Sequence, residues 1–529
     1  MPKTATVRFD GGLVAQAAPG ATLLDAARIA GAGIDAACSG LGTCGRCRVR
    51  AAGALSTPDE AEIAVLGTGA VAQGWRLACR ARVLGDAEVD VPDAGALHVV
   101  EGDALGLAWA PDPAPEGALG LAVDLGTTTV AAALVDLATG GVLATASAPN
   151  PQAQWGADVL SRVAAARAGQ AAALRDAARE QVAALAREAA AVEGVGAGRL
   201  TRVVLVGNTA MRATILGHDV TALGEAPYKG VDLDAVETDG EALGIEAFNG
   251  ASVYVPPCAS AFVGADVVAG LAAARFGDPG PPRIFLDVGT NAEIVLWTGE
   301  RLLAASAAAG PALEGAGLSS GMRAVPGAVE DVRLAGDALE LATIGGLAPK
   351  GLCGSGALAL AAALLDAGVI DADGRMHAVP LAPPARVIDR EDQRVLVLDD
   401  AAAVVLTQKD VRAIQLAKGA VQAAAQVLVA EAGLGVAEVS QVLVAGGFGR
   451  RLQGRVLARL GVVPYEWTSR LRFVGNAALD GARALLVSRA ARAEAERLAG
   501  IVRAVDLASH PAFKDAFLHA LSFPQSQEH

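Results

Sequence analysis

The strongest constraint on how this chain folds is a string that occurs twice. GLAVDLGTTTVAAALVDLATGGVLATAS (Gly120–Ser147) is an apolar strand, a Gly-Thr turn, a second strand, a Gly-Gly turn and a third strand. RIFLDVGTNAEIVLWTGERLLAAS (Arg283–Ser306) has the same plan. Aligning the turns sets Asp124 against Asp287, Gly126 against Gly289 and Thr127 against Thr290, an offset of 163 residues. Two copies at that distance predict a pair of duplicated domains, not a solenoid. A chain of 529 residues has room for both and for one or two further domains.

Such a turn has a definite chemistry. A buried strand ends in an aspartate, and Gly and Thr then turn the chain so that backbone N–H groups point outward. Glycine permits close approach to phosphate oxygens, the hydroxyls add donors, and the aspartate can hold Mg²⁺ through water. One copy is usually just a turn. Two facing copies predict a clamp for ATP and Mg²⁺, with Asp124 and Asp287 positioning the metal and Gly126, Thr127, Thr128, Gly289, Thr290 and Asn291 cradling phosphates. VVLVGNTAM (Val203–Met211) and QVLVAGGFGR (Gln441–Arg450) are further strands running into glycine turns. Asn208, at the first of these, is the candidate to orient the attacking water, although an Asn there also suits a turn or helix cap.

The N-terminus poses a separate question. CSGLGTCGRC (Cys38–Cys47) puts three of the six cysteines in ten residues, and Cys79 follows in WRLACR. Without disulfides in a reducing compartment, such a cluster is metal-binding or catalytic. Structural zinc usually takes cysteines as two close pairs, whereas C-x5-C-x2-C-x31-C has one distant ligand. Three thiolates from one loop and one from afar match a 2Fe-2S cluster held by Cys38, Cys44, Cys47 and Cys79. Gly40, Gly42 and Gly45 would let the loop turn its N–H groups toward the sulfurs. Upstream, a hairpin about Asp10-Gly11-Gly12 and a short amphipathic helix resemble a β-grasp ferredoxin. Cys258 and Cys353 have no cysteine or histidine neighbours in sequence and suit small buried hydrophobes.

From Asp86 to Gly117 there are eight acidic residues and no lysine or arginine, which is linker composition. The expected division is therefore a ferredoxin-like domain at 1–90, a linker at 91–119, ATPase subdomains at 120–280 and 281–485, and a helical tail at 486–529. The alanine-rich stretch Val159–Val192 is expected to form amphipathic helices. Aromatic residues are only 3%, so the cores must rest on Ala, Val and Leu. A net charge of −14 argues against nucleic acid as the principal partner. Mean hydropathy is +0.41, yet the long uncharged runs Leu137–Ala157 and Ala247–Ala265 carry Asn, Gln or Pro and suit no membrane span. MPKTATVRFDGG has no apolar run of signal-peptide type, so a cytoplasmic location is expected.

QVLVAGGFGR resembles the adenosine motif of the superfamily that unites acetate and sugar kinases, the heat-shock chaperone ATPases and actin. That implies duplicated actin-like (ribonuclease H-like) α/β domains with mixed sheets flanked by helices, and Gly446, Gly447 and Phe448 bordering the adenosine. NPQAQWGADVLSR (Asn150–Arg162), SAAAGPALEGAGLSSGMRAVPGA (Ser306–Ala328), GLCGSGAL, TQKDVRAIQLAKGA (Thr407–Ala420) and VGNAALDGA (Val474–Ala482) narrow the match further. The chain resembles the reductive activators of corrinoid proteins, which join a 2Fe-2S domain to this ATPase. It departs in lacking the domain that larger members insert between linker and ATPase.

The resemblance implies ATP-dependent delivery of one electron through the cluster, converting the Co(II) corrinoid protein of a methyltransferase system to Co(I). It also implies a low-potential electron donor of unknown identity, and related activators suggest a homodimer. Two other readings use the same fold: a sugar-type kinase with a fused redox-sensing ferredoxin domain, and a chaperone-like redox-sensing binding module.

Overall fold

The computed structural model describes residues 4–30, 32, 34, 42, 47–91, 105–226, 228, 232–390, 393–399, 404–446 and 452–525. At the N-terminus, β1 (Ala5–Phe9) and β2 (Val14–Ala17) form the expected hairpin. Its turn is a single 3-10 turn at Asp10–Gly12, with Gly12 at φ +81°. Helix Leu23–Ala30 then buries Leu23, Leu24, Ala26 and Ala27. Strands β3 (Arg48–Leu55), β4 (Trp75–Leu77) and β5 (Val83–Asp90) complete a sheet of order β2-β1-β5-β3-β4. Only the central β1–β5 pair is parallel. This is a β-grasp layer, with Val7, Phe9, Leu23, Val49, Leu77 and Val83 in its core.

The first large sheet contains β6 (Leu119–Leu125), β7 (Thr129–Asp136), β8 (Val142–Pro149), β9 (Leu200–Gly207), β10 (Val236–Asp239) and β11 (Ser252–Val255). Its order is β10-β11-β9-β6-β7-β8. β6 and β7 are apolar on both faces, as strands covered on two sides must be. The second half starts with β12 (Arg283–Val288), β13 (Ala292–Trp297) and β14 (Leu302–Ala307). Two small sheets follow, β15 (Ala328–Ala335), β16 (Ala338–Thr343) and β17 (Gly351–Leu352), then β18 (Arg386–Arg390), β19 (Gln393–Val397) and β20 (Val405–Thr407). β21 (Gln441–Ala445), β22 (Leu471–Gly475) and β23 (Val502–Ala504) complete a large sheet of order β22-β21-β12-β13-β14-β23.

The duplication is therefore topological. In each half an antiparallel three-stranded meander is followed by two strands parallel to its first. The halves meet through helices Ala265–Ala273 and Ala477–Val487, which pack on each other and share a core with both sheets. A Cβ at Gly481 would lie 2.3 Å from the Ala269 carbonyl carbon, so glycine is what lets these backbones touch. Small residues buy close helix contact, which is how a chain poor in aromatics packs its interior.

The structure adds three details to these expectations. Residues 105–118 of the supposed linker are docked: Leu105, Leu107 and Trp109 pack on the shared core, and the Trp109 indole donates to the Ala272 carbonyl at 2.9 Å. Alternate apolar residues inside an acidic stretch were enough to hold it down. The 486–529 segment is not purely helical, since β23 pairs with β14. The helical stretch after Asp158 is interrupted over Ala166–Gln170, where Gly169 takes φ +89°. Helix Gln408–Glu431 is long and apolar enough to cross a membrane, but most of its apolar window is buried inside the protein as a core helix.

Candidate functional site

In each half the strand paired parallel to the first runs into a glycine, Gly207 at the end of β9 and Gly446 directly after β21, for the same reason. A Cβ at Gly207 would lie 2.8 Å from the Leu125 carbonyl oxygen. One at Gly446, where φ is +118°, would lie 2.3 Å from that of Val288. Only glycine lets these strand ends press against the phosphate turns. Gly447 and Phe448 lie outside the described residues.

Around the first turn the side chains form a brace. Asn150 donates from Nδ2 to the Gly126 carbonyl at 2.8 Å, and its backbone N–H donates to the Thr128 carbonyl at 2.9 Å. Arg162, almost wholly buried, donates from Nη2 to the Thr127 carbonyl at 2.6 Å. Asn208 donates from Nδ2 to Thr127 Oγ1 at 2.9 Å, while its Oδ1 accepts the Met211 N–H at 3.0 Å. Both ends of its amide are spent, one capping helix Thr209–Leu216 and the other holding the turn.

Asn476 reaches across the halves. It caps helix Ala477–Val487 through Oδ1 and donates from Nδ2 to Asp124 Oδ2 at 2.9 Å. On the second turn, Thr290 Oγ1 donates to Glu314 Oε2 at 2.8 Å, and the Gly289 N–H donates to the Asn291 carbonyl at 2.9 Å. The two turns also differ in length. Leu125 pairs with Val130 across the first, but Val288 pairs with Ala292 across the second, so the first holds one more residue. Asp124 therefore stands opposite Ala131, whereas Asp287 stands opposite Glu293.

These residues form an acidic recess. Asp124, Asp266, Asp287 and Glu293 are half-buried, with some surface left to solvent and protein around most of each carboxyl group. Withdrawal from bulk water pushes Asp124 up to about 7, despite the opposing Asn476 amide, with Asp266 adding to the rise. The same cause lifts Asp266 to about 6. Asp287 is pushed up to about 8 by burial and by the charges of Asp266, Asp124 and Glu314. Glu293 is raised well above its ordinary value by burial, then by Asp266 and Asp287, and its Oε1 accepts the Ser306 hydroxyl at 3.0 Å.

Carboxylates from both halves thus lie close enough to raise one another's proton affinity, the arrangement that a bound cation relieves. All the donors are oxygen, which suits Mg²⁺. Among the described residues no group of three or more His, Cys, Asp or Glu side chains could wrap a metal alone. Asp266, Glu293, Glu314, Asn150, Arg162 and Asn476 all escaped sequence reasoning about single residues. The usable signal was the asparagine that follows a strand and starts a helix, shared by Asn208 and Asn476.

At the cysteine site, Cys47 and Cys79 are buried with their sulfurs 3.2 Å apart. Cys38, Cys44, Gly40 and Gly45 lie outside the described residues. Cys47 directly precedes β3, and its carbonyl accepts the Ala78 N–H at 2.8 Å. β4 is clamped by Glu62, which accepts Arg76 Nε and Nη2 at 3.0 and 2.8 Å and the Leu77 N–H at 3.0 Å. Gly42 takes φ +76°, and a Cβ there would lie 2.7 Å from Arg80 Cδ. Two converging buried sulfurs on a rigid strand pair fit half the ligand set of a 2Fe-2S cluster. Cys258 and Cys353 are buried far from any such group, and burial pushes the Cys258 thiol up to about 11. The β-grasp unit also touches the first half: Arg28, on the helix before the cysteine loop, donates to the Gln154 carbonyl in the turn that Asn150 begins.

Comparison with known proteins matches three family descriptions in succession. These are a 2Fe-2S iron-sulfur cluster binding domain at 9–84, the RACo middle region at 119–278, and the C-terminal domain of RACo, the ASKHA domain, at 282–529. The chain is 31% identical over 415 residues to the corrinoid activation enzyme RamQ of Eubacterium limosum, covering 75% of this chain and 69% of that protein. It is 26% identical over 441 residues to the Co(II) methylated amine-specific corrinoid protein reductase of Methanosarcina barkeri, covering 76% and 77%. A solved structure described as a reductive activator for corrinoid, iron-sulfur protein matches with a TM-score of 0.73 at 26% identity over 99% of both chains.

Proposed function

This chain belongs to the family of reductive activators of corrinoid proteins, and from that membership we propose how its residues divide the work. The protein uses ATP to deliver one electron through a 2Fe-2S domain to a Co(II) corrinoid protein of a methyltransferase system, returning it to Co(I). A bound cluster supplies a one-electron carrier that needs no proton, and Cys38, Cys44, Cys47 and Cys79 would hold it.

The observation that carries the ATPase assignment is the acidic recess built from both halves. We assign Asp124 and Asp287 to hold the waters of Mg²⁺, and the turns Gly126–Thr128 and Gly289–Asn291 to present N–H groups and hydroxyls to the phosphates. Gly446, Gly447 and Phe448 would border the adenosine. Because Asn476 of the second half holds Asp124 of the first, whatever binds between the turns is felt by both halves. A ligand that favours one arrangement of them shifts the equilibrium toward it, and so changes how the corrinoid partner is held. The Arg28–Gln154 contact supports a short route from the first turn to the cluster domain.

The attacking water passes from Asn208 to Asp266. Asp287 would face the metal, Glu293 is tied to Ser306 and Glu314 to Thr290, whereas among the described residues no side chain bonds Asp266, whose Oδ1 accepts the backbone N–H of Val267 at 2.8 Å. Its rise to about 6 suits a base working near neutral pH. We take the compartment to be the cytoplasm, the donor to be a low-potential carrier and the working form to be a homodimer; the thiolate ligands support a reducing compartment.

The test mixes the protein with ATP, Mg²⁺, a photoreductant and a Co(II) corrinoid protein and follows the Co(I) absorption band. Absence of ATP-dependent Co(I), with phosphorylation of a small sugar instead, would overturn the reading. Asp266→Asn should lower ATP turnover about a hundredfold or more while nucleotide binding and the cluster spectrum persist. Unchanged turnover would return the water to another residue.

A further inference from the structure

An activator must be reloaded with electrons, and the charge distribution of this chain says where. Residues 1–91 carry nine basic and nine acidic side chains, so the whole net charge of −14 belongs to the rest of the molecule. Within the neutral unit the arginines crowd the cysteines: Arg46, Arg48 and Arg50 flank or follow Cys47, and Arg76, Arg80 and Arg82 surround Cys79. Two are internally neutralised, Arg76 by Glu62 at 2.8 Å and Arg80 by Asp59 at 2.6 Å.

Arg48 and Arg50 are different. Both are exposed on one face of β3, and both stack on the ring of Trp75 from β4, with Cζ 5.5 and 5.6 Å from its centroid. The register explains the sharing, since Arg50 stands directly opposite Trp75 and Arg48 stands two pairs along on the same face, opposite Leu77. Among the described residues neither makes an ion pair, although Asp90 stands opposite Arg50 on β5. Stacking fixes the planes of two guanidinium groups and leaves their N–H edges to solvent. Arg48 is the residue after the cluster ligand Cys47.

We propose that the Arg48–Arg50–Trp75 face is the docking surface for the electron donor, and that the donor is a small one-electron carrier protein with an acidic surface. This rests on the electron-transfer reading above. A molecule of charge −14 repels such a carrier everywhere except at a local basic edge, so the same charge that slows random encounter directs productive ones to the cluster. Two guanidinium groups on one ring make a small contact, of the size that weak and rapidly exchanging redox partners use. It also lies entirely on the β-grasp unit. That suits reloading, which needs no nucleotide, whereas the corrinoid protein must meet a surface that nucleotide alters. The step balances simply: the reduced carrier loses one electron, the oxidised cluster gains it, and no bond or proton is exchanged.

The test uses full-length holoprotein and flavodoxin hydroquinone, an acidic one-electron carrier whose semiquinone absorbs apart from the cluster. Stopped-flow mixing reads the second-order rate of cluster reduction. The double substitution Arg48→Glu with Arg50→Glu should slow it about tenfold or more at low ionic strength. The gap should close at high salt, where the wild-type rate itself falls. Cluster absorption and photochemical reduction by deazaflavin should be unchanged, as should ATP-dependent Co(I) formation under photoreduction. Equal flavodoxin rates in wild type and variant overturn the proposal. A normal flavodoxin rate with lost Co(I) formation also overturns it and gives the face to the corrinoid protein. If the double variant loses its cluster, Arg48→Gln and the wild-type salt series decide, and a wild-type rate that rises with salt refutes the idea. Failure of the activator reading would look different: no ATP-dependent Co(I) from wild type, with the flavodoxin result intact.

Discussion

The turn after β6 and the turn after β12 share the letters Asp-x-Gly-Thr, yet they live in different surroundings. Among the described residues the first is held by Asn150, Arg162 and Asn208, with Asn476 on its aspartate. The second has Glu314 on Thr290, and its aspartate accepts no side-chain hydrogen bond. The first turn is braced by side-chain donors, while the second gathers carboxylates that raise one another's proton affinity. Duplication thus copied the backbone device and left the two surroundings to diverge; our proposal makes the first a fixed cradle and the second the side that holds the cation.

That division can be broken by experiment. If the turns were equivalent, Asp124→Asn and Asp287→Asn would cost the same. We expect Asp287→Asn to lower ATP turnover by up to about a thousandfold in a phosphate-release assay, with the cluster spectrum intact, and Asp124→Asn to cost distinctly less. Equal losses would place the metal symmetrically between the turns.

The glycines offer the next contrast. A Cβ at Gly126 would lie 2.6 Å from the Thr129 carbonyl oxygen, but one at Gly289 meets nothing nearer than 3.5 Å. Gly126→Ala should therefore destabilise the protein by about 2 kcal/mol in denaturant titrations and weaken nucleotide binding, whereas Gly289→Ala should fold normally. Similar losses from both would show that the second turn tightens when occupied.

Asn476→Ala removes the one side-chain amide that joins the halves at Asp124. It should lower affinity for Mg²⁺-ATP about tenfold by calorimetry. An unchanged affinity would mean that the cross-half bond is passive.

The smallest effect is on pH dependence. Asp124, Asp266 and Asp287 rise from 3.8 to about 7, 6 and 8. Between pH 4 and 8 the empty folded protein thus holds more protons at these sites than the unfolded chain does. Its stability from this source is full at about pH 4 and is lost as pH rises to about 8. Mg²⁺ must displace those protons, so the rise in Tm on adding Mg²⁺-ATP should grow from pH 6 to 8. A shift that shrinks over that range would rule out the recess as the metal site.

Much of this could be read from the chain because it is local. The β-grasp hairpin, the twin turns and the glycine-ended strands each occupy a few consecutive residues whose hydrophobic pattern and turn chemistry are legible without a fold. Asn208 was legible as a cap for the same reason. The docking of 105–118 was not legible, because its charges are easy to count while the value of Leu105, Leu107 and Trp109 depends on a surface built more than a hundred residues later.

By itself, then, the sequence determined the order of the modules, the cysteine ligands to expect and the two phosphate turns, since each is encoded by neighbours in the chain. Only the tertiary structure decided which groups share the recess. Asp266 and Asn476 enter it because helices Ala265–Ala273 and Ala477–Val487 pack backbone to backbone at Gly481 and start beside the turns. The one-residue difference between the turns likewise emerged only from strand register, and the shorter second turn is what sets Glu293 opposite Asp287. Contacts between such distant segments are chosen by packing energy summed over a whole interface, and no local pattern of letters records that sum.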